Sequence, residues 1–247
     1  MNELTLEKMK QMRLYGMHNA FIATTSNAHL ERYTNDEFTS MLVSAEWDDK
    51  NNRKVERMIK TAKFKYKANI EDVSYNENRN VDKNQILRLA ECNFIKKNEN
   101  ILITGSTGVG KSYLATALGY QACNQAYRTM YFNTNKLFAK LKIAKADGSY
   151  LKELAKIERQ HLIILDDFGL QLLDAQNRIA LLEIMEDRHN KGSIIVTSQI
   201  PVQKWYDVIG EKTIADAVLD RLVHNAHRIV LKGESLRRKK NLKSEEF

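Results

Sequence analysis

Eight residues narrow the choice of fold more than any other feature of this chain: Gly105-Ser106-Thr107-Gly108-Val109-Gly110-Lys111-Ser112. They fit the pattern G-x-x-x-x-G-K-[ST]. An apolar run that reads as a strand, Ile101-Leu102-Ile103, precedes them, and a helical stretch from Lys111 to about Gln125 comes after. The glycines let the backbone take positive φ, so successive N–H groups can point at one phosphate. The helix beginning at Lys111 adds the positive end of its dipole. Lys111 would reach the β- and γ-phosphates, and the Ser112 hydroxyl would join the shell of a Mg²⁺ ion, which prefers oxygen ligands. All eight residues, with Tyr113 beside them, are candidates for binding ATP. A chance match in a glycine-containing loop is the competing explanation, and the strand before and helix after it argue against that.

Downstream of Asn100, short apolar runs alternate with helical stretches. Met130-Tyr131-Phe132, Leu162 to Leu165, Ile194-Ile195-Val196 and Arg228 to Leu231 read as further strands. Helices are expected around Leu137–Ile143, Ala175–His189, Val202–Val208 and Ile214–Val223. This alternation predicts an α/β fold, a five-stranded parallel sheet with helices on both faces, and ligands at the carboxyl ends of the strands.

The third strand ends in two carboxylates, Asp166 and Asp167. A buried strand would deliver them to the edge where the phosphates lie. Asp166 would hold Mg²⁺ through water, and Asp167 would orient and polarise the attacking water. Thr197-Ser198-Gln199 ends the fourth strand. Ser198 or Thr197 there could contact the γ-phosphate as a sensor, or simply cap the turn before Pro201, the chain's single proline. Arg221, in Asp220-Arg221-Leu222, could act on a neighbouring subunit's γ-phosphate or pair with a nearby acid. Arg237 and Arg238 could reach the nucleotide in cis or belong to a solvated basic tail.

The N-terminal part, to about residue 68, reads as a small all-helical domain, and residues 69–247 as the ATPase domain. Thr34 and Glu37 form a capping-box pattern, and Phe38, Met41, Leu42 and Ala45 share one helix face. Val55, Ile59, Ala62 and Tyr66 continue a face at helical spacing, in one long helix or in two joined near Asn51-Asn52. Residues 68–84 are polar and read as a connection between modules. Within residues 50–67, Lys50, Arg53, Lys54, Arg57, Lys60 and Lys63 face a single acid, Glu56. Such a stripe suits a DNA phosphate backbone, with little sequence preference, or is a solvated face. The formal net charge of +8 and pI of about 9.3 favour a polyanionic partner. No run of about 18 apolar residues spans a membrane, and the charged N-terminus is not a signal peptide. With two cysteines that lack metal-ligand spacing, Cys92 and Cys123, a reduced, cytoplasmic protein is expected.

In its ordered set of motifs the sequence resembles the IstB family, ATP-binding helpers of insertion-sequence transposition in the AAA+ class, related to DnaC-type helicase loaders. The resemblance runs over nearly the whole chain. It is carried by Leu14-Tyr15-Gly16-Met17, Ala62-Lys63-Phe64, Asn100 to Ser112, Leu162 to Gly169, Val196 to Gln199, Asp220 to His224 and Lys232 to Arg237. It implies an AAA+ core, an N-terminal helical DNA-binding domain, ATP-gated assembly on duplex DNA as a ring or helix, and stimulation of a partner transposase. It also implies Arg221 as the trans-acting arginine and Arg237 as a second sensor. The usual AAA+ C-terminal helical lid is not expected here, since only about 16 residues come after the fifth strand. A helicase loader acting on single-stranded DNA is the alternative. A small-molecule kinase is a third reading, against which no acceptor-site signature is found.

Overall fold

The computed structural model describes residues 2–26, 33–75 and 79–236. They pack as two compact units, Met1–Arg57 and Met58–Phe247. Among the described residues no helix is long and apolar enough to cross a membrane.

The first unit is helical: α1 (Asn2–Gln11), α2 (Tyr15–Ser26) and most of α3 (Asn35–Ala62). α3 runs unbroken through Asn51-Asn52, so a single long helix forms rather than a joined pair. The capping box forms: the Glu37 carboxylate accepts from the Thr34 N–H at 2.8 Å, and Thr34 Oγ1 accepts from the Glu37 N–H at 3.3 Å. Phe21 of α2 and Phe38 of α3 bring their rings to 5.9 Å. Gly16 lets the start of α2 touch α3, because a Cβ there would lie 2.2 Å from the Ala45 carbonyl oxygen. Buried Glu46 accepts from the Met17 N–H at 3.2 Å, close to the positive end of α2.

The cationic stripe differs from its reading in sequence. Lys50 lies 3.4 Å from Glu46, and Arg53 lies 2.6 Å from Asp49 and 3.7 Å from Glu46. Arg53 also sits over the Tyr15 ring at 5.1 Å. Both acids stand just upstream of residue 50, and they neutralise part of the charge. Lys54, Arg57, Lys60 and Lys63 are exposed.

The second unit holds α4 (Lys83–Ala90), α5 (Asn93–Lys96), β1 (Asn100–Gly105), α6 (Lys111–Asn124), β2 (Thr129–Asn133), α7 (Thr134–Ala146), α8 (Tyr150–Glu158), β3 (Leu162–Phe168), α9 (Ala175–Arg188), β4 (Ser193–Ser198), α10 (Trp205–Ile209), α11 (Lys212–Val223) and β5 (Ala226–Leu231). All five expected strands form one parallel sheet, in the order β2-β3-β4-β1-β5. Strand side chains alternate between two cores. Ile101, Ile103, Leu162, Ile164 and Ile195 meet α4 and α6 on one face. Leu102, Ile163, Leu165, Ile194 and Val196 meet α7, α9 and α11 on the other. α8 escapes sequence reading because it buries only Leu154 and Ile157.

Residues 68–75 are not a free connection. Ala68, Ile70 and Val73 are buried in the core with Leu114, Ala115 and Leu118 of α6. The compact units therefore divide at Arg57/Met58, earlier than the change of composition near residue 68.

Cys92 and Cys123 are both buried thiols. Burial, with the neighbouring Cys123, pushes Cys92 up to about 12, and burial pushes Cys123 up to about 11. At pH 8 about one thiol in a thousand or fewer is then ionised and reactive. Iodoacetamide at pH 8 is expected to leave both thiols of the native protein intact and to alkylate both in denaturant, read by mass spectrometry.

Candidate nucleotide-binding site

The loop from Gly105 to Gly110 leaves the carboxyl end of β1 and enters α6. Gly108 has φ +81° and Gly110 has φ +97°, conformations that a side chain would strain. Both positions are also crowded: a Cβ would meet Ser235 Oγ at 2.1 Å from Gly108, and the Arg79 guanidinium at 2.8 Å from Gly110. Val109 turns its side chain into the core, so only its backbone faces outward. Lys111 is buried, with Nζ donating to the Ser106 carbonyl at 2.8 Å.

A cleft of about 870 Å³ opens beside this loop. Thr107, Gly108, Gly110, Lys111, Ser112 and Tyr113 line one side. Asp167 and Gln199 come from the ends of β3 and β4. A further wall, formed by residues 65–67, residues 72–74, Arg79 and Val81, is not foreseen in the sequence. Its visible signal is the apolar set Ile70, Val73 and Val81 spaced through an otherwise polar stretch. Tyr113 joins this wall, its hydroxyl 3.4 Å from Asp72 and its ring stacked at 6.0 Å on Tyr66.

Asp166 and Asp167 are adjacent in the chain but sit in different settings. Asp166 is fully buried, and its carboxylate accepts hydrogen bonds from the Tyr131 and Thr197 hydroxyls. Burial first, and then the hydrogen bond to Asp166, raises the Tyr131 phenol far above its ordinary value, so it stays a donor. At Asp167 the register of β3 against β4 shifts and φ becomes +61°. Its N–H donates to Thr197 Oγ1 at 3.1 Å, and its carboxylate accepts from the Asn133 amide at 3.1 Å. The same Asn133 caps α7 through its oxygen, which accepts from the Lys136 N–H at 3.3 Å.

Of the oxygen donors that would suit Mg²⁺, Ser112 and Asp167 line the cleft, whereas Asp166, the carboxylate expected there from sequence, is fully buried and not part of the lining. Among the described residues no cluster of three or more His, Cys, Asp or Glu side chains is placed to hold a metal.

Two expected site residues lie elsewhere. Ser198 is fully buried, its hydroxyl donating to the Phe168 carbonyl at 2.7 Å and accepting from the Ile200 N–H at 3.1 Å. Of its strand end, Gln199 faces the cleft, holding Thr107 Oγ1 at 2.7 Å, and Thr197 holds the acidic pair. Arg221 belongs to a separate hollow of about 240 Å³ with Asn98, Asn100 and His224. Its guanidinium donates to the Ala217 carbonyl at 2.8 Å and lies 3.4 Å from Glu186. Its backbone carbonyl accepts from Asn100 at the start of β1, whereas the phosphate loop leaves the end of that strand, roughly 17 Å away. Arg237 falls outside the described residues.

Residues 7–244 match the family model described as IstB-like ATP binding protein. The chain belongs to that family. It is 43% identical to a Sinorhizobium fredii protein named as an insertion sequence ATP-binding protein, y4pL, over 97% of this chain and 98% of that one. It is 30% identical to the protein so named from insertion sequence IS5376 of Geobacillus stearothermophilus, over 99% and 98% of the two chains. Among solved structures, the fold of this IstB-like chain is that of DnaI (TM-score 0.60, 22% identity, 72% of this chain and 94% of that one). It is also that of AMPPCP-bound DnaA from Aquifex aeolicus (TM-score 0.60, 20% identity, 74% and 56%). The α/β core is therefore of the AAA+ P-loop type, with a helical N-terminal region ahead of it.

Thr197→Val keeps the shape of the side chain but leaves the buried Asp166 carboxylate and the Asp167 N–H each one partner short. Stability is expected to fall by about 1–3 kcal/mol, read by urea denaturation.

Proposed function

We propose that this protein is an ATP-dependent DNA-binding ATPase that assembles on duplex DNA and assists a partner transposase in insertion-sequence transposition. The observation that carries the reading is the convergence, in one cleft, of the phosphate loop after β1 and Asp167 near the end of β3. Relatives named as insertion sequence ATP-binding proteins support the biological setting.

In this reading the N–H groups of Ser106 to Ser112 cradle the phosphates, and Lys111 neutralises the β- and γ-groups. Ser112 would hold Mg²⁺, which supplies further neutralisation of the phosphate charge; Asp166, expected from sequence to share the ion, is closed off by the Tyr131 and Thr197 hydroxyls and would support Asp167 instead. Asp167, aimed by Asn133, orients and polarises the attacking water. Gln199, tied to Thr107, would take the sensing role that the sequence assigns to Ser198 or Thr197. Arg221 acts in trans: it lies across the sheet from its own cleft, so the phosphate it meets belongs to the next subunit of a ring or helix. Arg237 reads the nucleotide from the tail. ATP thereby joins subunits, and hydrolysis releases them.

DNA contact falls to the helical N-terminal part. There Lys54 and Arg57 continue the stripe beyond the ion-paired Lys50 and Arg53. With few base-reading groups, binding should be weakly selective and steeply dependent on salt.

Fluorescence anisotropy on labelled duplex should show tight binding with ATP, weak binding without it, and weak binding by Lys111→Ala under both conditions. Equal binding by that variant and the parent removes the ATP gate, and preference for single strands favours a helicase-loading role. For the trans arginine, Arg221→Ala and Asp167→Asn should each lose about 10²-fold or more of DNA-stimulated ATP turnover. Mixing the two should restore part of it, because one kind of junction then has an intact Arg221 facing an intact Asp167. Failure to complement places Arg221 outside the reaction.

A further inference from the structure

Arg79 belongs to no motif in the sequence, yet it is buried at the edge of the cleft, only 8% exposed. Its guanidinium spans two segments, donating to the Ser74 carbonyl at 2.6 Å and to the Val109 carbonyl at 2.6 Å. Its own carbonyl accepts from the Lys232 N–H at 3.0 Å. One residue thus joins the cleft wall, the phosphate loop and the segment after β5.

These bonds orient the loop. A trans peptide directs its C=O and the next N–H in opposite senses, and the chain has no cis peptide among the described residues. Holding the Val109 carbonyl therefore turns the Gly110 N–H away from Arg79. The Gly108 carbonyl is held in the same manner, by the Leu236 N–H at 2.9 Å, which turns the Val109 N–H. Two donors of the cradle are aimed from behind.

Arg79 also brings charge. A buried cation is ordinarily paired with an anion. Among the described residues no carboxylate is in ion-pair range of Arg79, whose partners are neutral carbonyls. Burial alone lowers its pKa. The cleft it borders is built for a polyanion, which would supply the missing counter-charge.

We propose that Arg79 is a positioning residue of the nucleotide site, which sets the donors of the phosphate loop and whose buried charge is neutralised by the ligand's β- and γ-phosphates. This rests on the cleft being the ATP site. The experiment compares Arg79→Gln, which keeps a donor but no charge, with Arg79→Lys, which keeps the charge but not the fork. Calorimetric affinities for ATP and AMP are measured, with melting of the nucleotide-free protein.

Arg79→Gln should weaken ATP by about tenfold or more and AMP by less than about threefold, with melting of the free protein unchanged or raised. Arg79→Lys should keep the ATP-to-AMP ratio within about threefold of the parent. Equal losses for ATP and AMP in Arg79→Gln, together with a lower melting temperature, reduce Arg79 to a structural staple and overturn the proposal. If Arg79→Gln does not fold, Arg79→Lys decides: a ratio that collapses although the charge is kept also overturns it. A parent protein without ATP affinity would instead defeat the reading of the cleft itself.

Discussion

The arrangement at the end of β3 depends on one buried carboxylate. Asp166 has no access to solvent, and it survives there because hydroxyls from both neighbouring strands satisfy it, Tyr131 from β2 and Thr197 from β4. Burying an unsatisfied carboxylate would be too costly for a stable core. Those two hydroxyls therefore fix three strands in register at the edge where chemistry is expected. The same point fixes Asp167. In a regular strand, Asp167 would alternate onto the face of Leu165 and enter the second core. The irregularity between Leu165 and Phe168, with φ of +61° at Asp167, turns it into the cleft instead. Non-glycine residues in this conformation carry strain, tolerated where surrounding contacts impose it. Here those contacts are the Thr197 hydroxyl on the Asp167 N–H and the Asn133 amide on its carboxylate.

A phosphate loop needs comparable support, because its donors are backbone groups without side chains to lock them. The support comes from distant parts of the chain, Arg79 on one carbonyl and Leu236 on another. Residues 65–75, with Arg79 and Val81, thus border the cleft while also covering α6 with Ala68, Ile70 and Val73. Packing and site geometry share one segment, so a core substitution beneath it would reach the cleft.

The parts legible in sequence are those with a local cause. Each strand of the sheet is a short apolar run, and the loop announces itself by glycine spacing and by the helix after it. The Asp pair is legible because an apolar run delivers it to a known edge. The wall is not, since its polar composition says nothing of burial and its partners lie some 40 residues away in α6. Arg79 looks like one more cation in a chain of net charge +8. The choice between Thr197 and Ser198 turns on alternation: neighbouring strand residues face opposite sides, and only tertiary structure says which side holds Asp166. The α3 stripe is overcounted in sequence for a simpler reason. Glu46 and Asp49 stand just before residue 50, and at i, i+4 spacing they meet Lys50 and Arg53.

Arg221 brings the geometry to its last constraint. Parallel strands put every loop after a strand at one edge and every loop before a strand at the other. Arg221 closes the helix that leads into β5, so it belongs to the second edge, beside Asn100, Asn98 and His224. Its contact with the half-exposed Glu186, at 3.4 Å, is of a kind worth under about 1 kcal/mol. Such a tether holds the side chain at the surface without committing it. A stronger anion brought by another molecule could take Glu186's place with little loss to the fold. The cleft, by contrast, collects cations and donors on its loop side and has no described arginine beyond Arg79. One edge of the sheet is thus arranged to receive a polyphosphate, and the other presents a weakly held guanidinium. In the proposed assembly these two surfaces would meet head to tail, which is the symmetry of rings and helices rather than of closed dimers.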